Sequence, residues 1–246
     1  MTAYILDIDK PEAIYTIRIR RFNPDTDRQS HWETYEVPFV KTMTVIEALE
    51  YLWDQGEYIA FRANCREFTC GSCAMLINGK PMLACSTLLK DSMNLEPLTR
   101  YQLVRDLVVD TGAVTEKLKQ LQYWPVNDGQ DGDFTVSRKV SQDFAAIYSR
   151  CIECLCCLEA CPASASEVSK FDGPMHMLQL ARAGLHPMDT MDRVEQANGR
   201  GTWACVSCFE CADVCPIDLV PGEEIVKFRK KAVKRAVLKM LGIGDD

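Results

Sequence analysis

The sequence predicts an α+β fold in two parts, a β-rich N-terminal third with one helix followed by a mostly helical remainder. Three observations lead there. Alternating strand patterns and an Asn-Gly turn occupy the first part, strand signals become sparse after Pro97, and all 13 cysteines among the 246 residues fall into three tight groups. At 47% apolar, the chain can bury a core without covalent staples.

Taken in order, Tyr15–Phe22 alternates as a half-buried strand should, Asn23–Ser30 carries turn residues, and His31–Phe39 reads as the returning strand of a hairpin. Thr44 is placed to cap a helix through Leu52, with Val45, Ala48 and Leu52 on one face. A cysteine loop, Cys65–Cys73, follows. Asn78-Gly79 then stands between the apolar run Cys73–Ile77 and Lys80–Cys85, a strong hairpin signal because both turn positions need positive φ. That hairpin returns Cys85 beside Cys73. Beyond Pro97, Leu103–Leu121 has helical spacing, Tyr123–Asp133 is a loop rich in Asn, Asp, Gly and Pro, and Ser141 is placed to cap a helix leading into Cys151. The expected domains are 1–104 and 105–246.

Composition narrows the function classes. A formal charge of -7 argues against a mainly electrostatic nucleic-acid binder. No apolar stretch reaches the roughly 20 residues of a membrane-spanning helix, and the start lacks the basic and apolar regions of a secretory signal, so a cytosolic chain is expected. Disulfides fit poorly with an odd count of grouped cysteines.

Cys65-x4-Cys70-x2-Cys73, with Cys85 beyond, is the plant-type ferredoxin spacing for a 2Fe-2S centre. Three thiolates on one loop must wrap the cluster while backbone amides point at its sulfurs, and Gly71 and the small Ser72 permit that approach. Further on, CIECLCCLEACP at 151–162 and CVSCFECADVCP at 205–216 repeat C-x2-C-x2-C-x3-C-P. This is the bacterial ferredoxin run, in which three cysteines serve one cubane and the fourth serves the other. Cys151, Cys154, Cys157 and Cys215 then hold one 4Fe-4S cluster, while Cys205, Cys208, Cys211 and Cys161 form a third pocket. Pro162 and Pro216 turn the chain after each crossover ligand. Zinc is the competing reading, but zinc sites use two Cys pairs, not three cysteines at two-residue gaps followed by Cys-Pro. Cys156 is left over as a small buried apolar side chain.

With the order 2Fe-2S, cubane, cubane-like, and the segments FRANCREFTCGSCAMLINGKPMLAC, RDLVVD (105–110) and GTWACVSCFECADVCP (201–216), the sequence resembles the iron-sulfur subunit of succinate dehydrogenase and fumarate reductase. The resemblance implies an N-terminal β-grasp plant-type ferredoxin domain and an all-α C-terminal bacterial-ferredoxin-like domain. It also implies a relay between a partner subunit that carries FAD and a quinone-reactive membrane subunit, at the cytoplasmic face of the inner membrane. Common members lack the second cysteine of the third motif and hold a 3Fe-4S cluster; here Cys208 fills that position, which favours 4Fe-4S. The chain is similar in this to a minority branch that pairs with a cysteine-rich membrane-associated subunit. Two usual quinone-pocket donors are replaced, by Pro162–Ser166 and by Val206-Ser207, so either the quinone site lies on a partner or the acceptor differs. No Gly-rich dinucleotide loop and no dicarboxylate-binding constellation of His or Arg is present, and no catalytic residue is expected. Rival readings are a thiol-dependent or other flavoprotein reductase subunit, and a free-standing ferredoxin-like shuttle.

The remaining features have bland readings. His31, His176 and His186 have no second ligand-type residue at metal spacing, and Met175, Met177, Met188 and Met191 read as core filler. Trp203 either shields the third cluster or simply packs. Lys227–Lys239 carries seven basic residues and no acid beside an apolar stripe of Ile225, Phe228, Ala232, Ala236 and Met240. Such a helix either packs on its own domain with a solvated basic face or meets a membrane or partner.

Overall fold

The computed structural model describes residues 10–127, 129, 137–143, 150–165 and 170–243. Contacts divide the chain into two compact units, Met1–Thr111 with Ile152–Glu159, and Gly112–Cys151 with Ala160–Asp246.

The first unit is built on a five-stranded mixed sheet in the order β2-β1-β5-β3-β4. Strands β1 (Ala13–Arg21) and β2 (His31–Phe39) form the expected antiparallel hairpin. Helix α1 (Val45–Asp54) follows, with Val45, Ile46, Ala48, Leu49 and Leu52 buried. At its start the Glu47 carboxylate accepts both the Thr44 backbone N–H, at 2.6 Å, and the Thr44 hydroxyl, at 2.7 Å. Strands β3 (Ala74–Ile77) and β4 (Lys80–Leu83) are joined through Asn78 and Gly79, whose φ values of 51° and 76° are those the Asn-Gly signal requires. The unforeseen member is β5 (Met93–Glu96), which pairs parallel with β1 and antiparallel with β3. Four residues with alternate polar side chains give little local signal. The Asn78 side chain contributes to the junction, accepting from Asn94 N–H at 2.8 Å.

The helix expected from Leu103 to Leu121 is replaced in its first half by a short hairpin, β6 (Leu103–Arg105) and β7 (Val108–Val109), and only Gly112–Gln120 is helical (α2). Asp106 is the reason. Its buried carboxylate accepts the N–H groups of Phe22 at 3.0 Å and Ala60 at 2.7 Å and the Arg21 guanidinium at 3.0 Å, while its own backbone turns left-handed at φ 44°. These long-range bonds outweigh helical periodicity and tie residues 103–109 to the N-terminal sheet, within the first compact unit.

The second unit is helical. Helix α3 (Arg138–Asp143) contains Ser141, and Ser137 supplies the cap, its hydroxyl oxygen accepting Val140 N–H at 3.2 Å. The expected continuation to Cys151, and most of the loop to Asp133, lie outside the described residues. The short helix α4 (Cys156–Ala160) lies within the middle cysteine motif. Helices α5 (Pro174–Ala183), α6 (Arg193–Gly199), α7 (Glu210–Asp213) and α8 (Pro221–Met240) follow. Their shared core holds Leu121, Phe171, Met177, Leu180, Val194, Ala197, Ile225, Phe228 and Cys161. Met175 and Met177 are core filler as read, whereas Met188 and Met191 are half-buried. Buried Arg193 pairs with Asp189 at 2.7 Å and donates to the carbonyls of Gln122 and Trp124, holding the chain after α2 against α6.

Asp106→Ala strands three donors beneath the first sheet and is expected to cost about 3 kcal/mol, read as a lower urea midpoint of the first unit's unfolding, with Asp106→Asn intermediate.

Candidate functional site

In the first group the chain curls around Cys65 because Arg66, Phe68 and Gly71 all take positive φ, at 57°, 64° and 70°. The N–H groups of Glu67, Thr69 and Cys70 thereby point at Cys65 Sγ, at 3.4, 3.3 and 3.3 Å. Such concave runs of amides receive anionic sulfur. Hydrogen bonding from Thr69 and the Glu67 amide lowers the Cys65 thiol to about 6. Cys70 Sγ lies 3.1 Å from Ser72 Oγ. The hairpin returns Cys85 to Cys73, which it contacts, and burial pushes the Cys73 thiol up to about 12. The expected partners thus come together as Cys65 with Cys70 and Cys73 with Cys85.

The two later motifs share one backbone. Glu153 and Leu155 take φ of 52° and 70° on either side of Cys154, and Ser207 and Phe209 take 56° and 64° on either side of Cys208. Left-handed conformation is uncommon for any of these residue types, so its recurrence at the same two offsets marks a shared mould. Sequence patterning carried no sign of it, since none of the four is glycine or asparagine.

Cys161, Cys205, Cys208 and Cys211 all line one shallow, partly open hollow, walled also by Phe171, Pro174, Phe209 and Ile225. Burial pushes the Cys211 thiol up to about 11, aided by the three neighbouring cysteines and opposed by a hydrogen bond from Gly222 N–H. Cys205 Sγ accepts Ser207 N–H at 3.4 Å. Among the described residues no three His, Cys, Asp or Glu side chains converge as a single-ion site would require. The four-cysteine donor set is of the kind that holds an iron-sulfur cluster, to which the protein would contribute thiolates and amide hydrogen bonds.

Within the middle group, Cys154 Sγ accepts hydrogen bonds from the thiol and N–H of Cys156, which lower its pKa. Cys156 is fully buried, as its small-apolar reading requires, and this hydrogen bond is an added feature. Cys154 and Cys157 belong to the first unit, Cys151 and Cys215 to the second. In the second unit Arg150 donates to the Ile217 carbonyl at 2.9 Å, joining the residue before Cys151 to the chain just after Cys215. Leu219 N–H points at Cys215 Sγ at 3.3 Å.

Arg229 of α8 escaped the sequence reading. It donates to the Thr202 carbonyl at 3.0 and 2.7 Å, to the Cys205 carbonyl and to Ser207 Oγ at 3.0 Å, and lies over the Trp203 ring. Trp203 is not packed in the core: it is 55% exposed, with its indole N–H on Asn198. His31 is exposed beside Glu33, His186 is half-buried, and His176 is buried, its pKa pushed down by burial.

Residues 16–116 match the family described as a 2Fe-2S iron-sulfur cluster binding domain, and 147–219 match the 4Fe-4S dicluster domain. The fumarate reductase iron-sulfur subunit of Haemophilus influenzae is 32% identical, across 93% of this chain and 96% of that protein. The chain belongs to the family of succinate dehydrogenase and fumarate reductase iron-sulfur subunits. Its fold agrees, with a TM-score of 0.81 and 26% identity to a chain of the Mycobacterium smegmatis Sdh1 complex in the apo form, covering 90% of this chain and 96% of that one. Two other relatives are longer. The chain is 31% identical to a subunit of the CoM/CoB fumarate reductase of Methanothermobacter marburgensis over 89% of its own length but spans 44% of that protein. It is 39% identical to an uncharacterized iron-sulfur protein of Methanocaldococcus jannaschii over 83% of its own length and spans 41% of that one. The chain therefore spans about half the length of these two relatives.

Glu159 anchors the middle motif to the first unit. Its buried carboxylate accepts Thr99 N–H at 3.0 Å, the Thr99 hydroxyl at 2.6 Å and Arg100 N–H at 3.3 Å. Glu159→Ala is expected to cost about 1–3 kcal/mol, measured by urea unfolding of the cluster-loaded protein, with Glu159→Gln recovering part of the loss.

Proposed function

We propose that the chain relays electrons one at a time between a partner's FAD and a membrane-associated partner in a succinate- or fumarate-converting complex. The observation that carries the reading is the repeated backbone mould: Cys208 sits between left-handed residues at the offsets that flank Cys154, and it lines the same hollow as Cys161, Cys205 and Cys211. Cys65, Cys70, Cys73 and Cys85 hold a 2Fe-2S centre. Cys151, Cys154, Cys157 and Cys215 hold the middle 4Fe-4S cluster. Cys161, Cys205, Cys208 and Cys211 hold a third, of the 4Fe-4S type and not the 3Fe-4S alternative.

When bound, the clusters supply one-electron redox chemistry, and the protein's part is ligation, spacing and tuning of potential. Amides aimed at Cys65, Cys205, Cys211 and Cys215 stabilise negative charge on sulfur and so favour the reduced form. The third hollow, with Cys208 exposed, is suited to electron exit. By ligand set the chain divides into functional domains 1–104, which supplies the ligands of the 2Fe-2S centre, and 105–246, which supplies those of the other two clusters, although the compact unit of the first also takes in Cys154 and Cys157. Among the described residues no helix is long and apolar enough to cross a membrane, which suits a peripheral subunit at the cytoplasmic face of the inner membrane, held there by its partners.

A second reading has its own support. The Methanothermobacter relative is a fumarate reductase named for CoM/CoB, and the tryptophan and histidine of the usual quinone pocket have no counterparts here. In that reading the complex exchanges electrons with thiols in place of a quinone. Assays of the purified complex with quinol and with dithiol donors separate the two.

The cluster assignment predicts about ten iron and ten sulfide per chain, no EPR signal in the oxidised state, and three signals on stepwise reduction. Cys208→Ser is expected to lose about one iron and to gain an oxidised-state three-iron signal, leaving the other two signals unchanged. A three-iron signal in the unaltered protein would remove Cys208 from the ligand set.

A further inference from the structure

We infer that Gly71 is the point of closest approach for electron transfer between the 2Fe-2S loop and the middle cluster's ligand segment, and that a side chain there breaks this approach. The inference rests on the cluster assignment proposed above. Gly71 lies between the first-group cysteines Cys70 and Cys73, at φ +70°. A Cβ at this position would stand 2.5 Å from the Ile152 carbonyl oxygen, 2.9 Å from Cys154 Cβ and 3.0 Å from Cys154 Cα. Two of these three atoms are backbone, so no rotamer change relieves the clash. The loop and the segment can stay in contact only without a side chain.

The contact lies inside one compact unit, since Ile152–Glu159 groups with the N-terminal residues. Ile152 and Cys154 pack against the same core as Cys85. At the other end of the segment Glu159 is bonded to Thr99 and Arg100. The segment is thus held at both ends to the unit that carries the 2Fe-2S loop. From Cys70 the route runs through one peptide bond to Gly71, across the contact, and into the backbone of Cys154. One electron leaves the reduced 2Fe-2S centre and reduces the oxidised middle cluster by one; no bond forms or breaks and no proton moves.

Gly56 provides the control. It has φ +90° in the same unit, with nothing within 4 Å of its would-be Cβ, and lies outside the cysteine loops and the hairpin that returns Cys85. Gly56→Ala therefore imposes comparable backbone strain without a clash. In the anaerobically purified complex, reduction of the middle cluster should speed spin relaxation of the reduced 2Fe-2S signal. Gly71→Ala should weaken this enhancement and slow reduction of the middle cluster, with both signals still present, while Gly56→Ala behaves as the unaltered protein. Enhancement and rate unchanged in Gly71→Ala would overturn the inference. Should Gly71→Ala fail to hold its 2Fe-2S centre while Gly56→Ala keeps it, the contact serves ligation and not transfer, and the inference is overturned. Missing cluster signals in the unaltered protein would instead refute the cluster assignment.

Discussion

Wrapping a sulfur-rich, negatively charged cluster with backbone amides is the constraint on which the rest of this structure depends. An extended or helical segment points alternate or axial N–H groups away from any common centre, whereas alternation of right- and left-handed residues gathers them into a concavity. All three cysteine loops show this alternation, and mostly with residues that resist it: Arg66, Phe68, Glu153, Leu155, Ser207 and Phe209 are all left-handed. Each such residue costs on the order of 1 kcal/mol, so the loops need support from outside themselves.

That support differs by site. The first loop leans on the sheet, with Cys73 in its core and Cys85 returned by the Asn-Gly hairpin. The third loop is held by α8, where Arg229 caps three groups of the loop and Gly222 lies against the Phe209 ring, its would-be Cβ 2.8 Å away. In the first unit Glu159 holds the middle motif, and in the second Arg150 fixes the residue before Cys151. Charged side chains bonded to backbone groups recur in these roles because a fixed, multi-donor or multi-acceptor head can satisfy several loop groups at once.

Helix α8 shows how one element serves two ends. Ile225 and Phe228 are buried in the second core and Ala232 is half-buried, but the apolar stripe read from the sequence does not stay covered: Ala236 is exposed and Met240 is 88% exposed. Arg235 pairs with Asp192, and Lys230, Lys231, Lys234 and Lys239 carry no carboxylate partner among the described residues. The first half of the helix is structural, and the second half is a basic, partly apolar rod.

Much was legible in the sequence because the signals are local. Cysteine spacing, the Asn-Gly pair and the Thr44 cap depend on neighbours a few residues away, and spacing alone put Cys208 in register with Cys154. What the sequence left open was set by contacts between distant residues. Strand β5 exists because Met93–Glu96 finds β1, and the helix expected at Leu103 gives way because Asp106 reaches Phe22 and Ala60. The same holds for Arg229, Glu159 and Gly71, none of which carries a local mark of its partner. The grouping and spacing of the cysteines were therefore determined by the sequence itself, while the strained loop shapes and the residues that hold them were decided by tertiary structure, because only packing across the chain can stabilise a left-handed backbone that most residues in these loops resist.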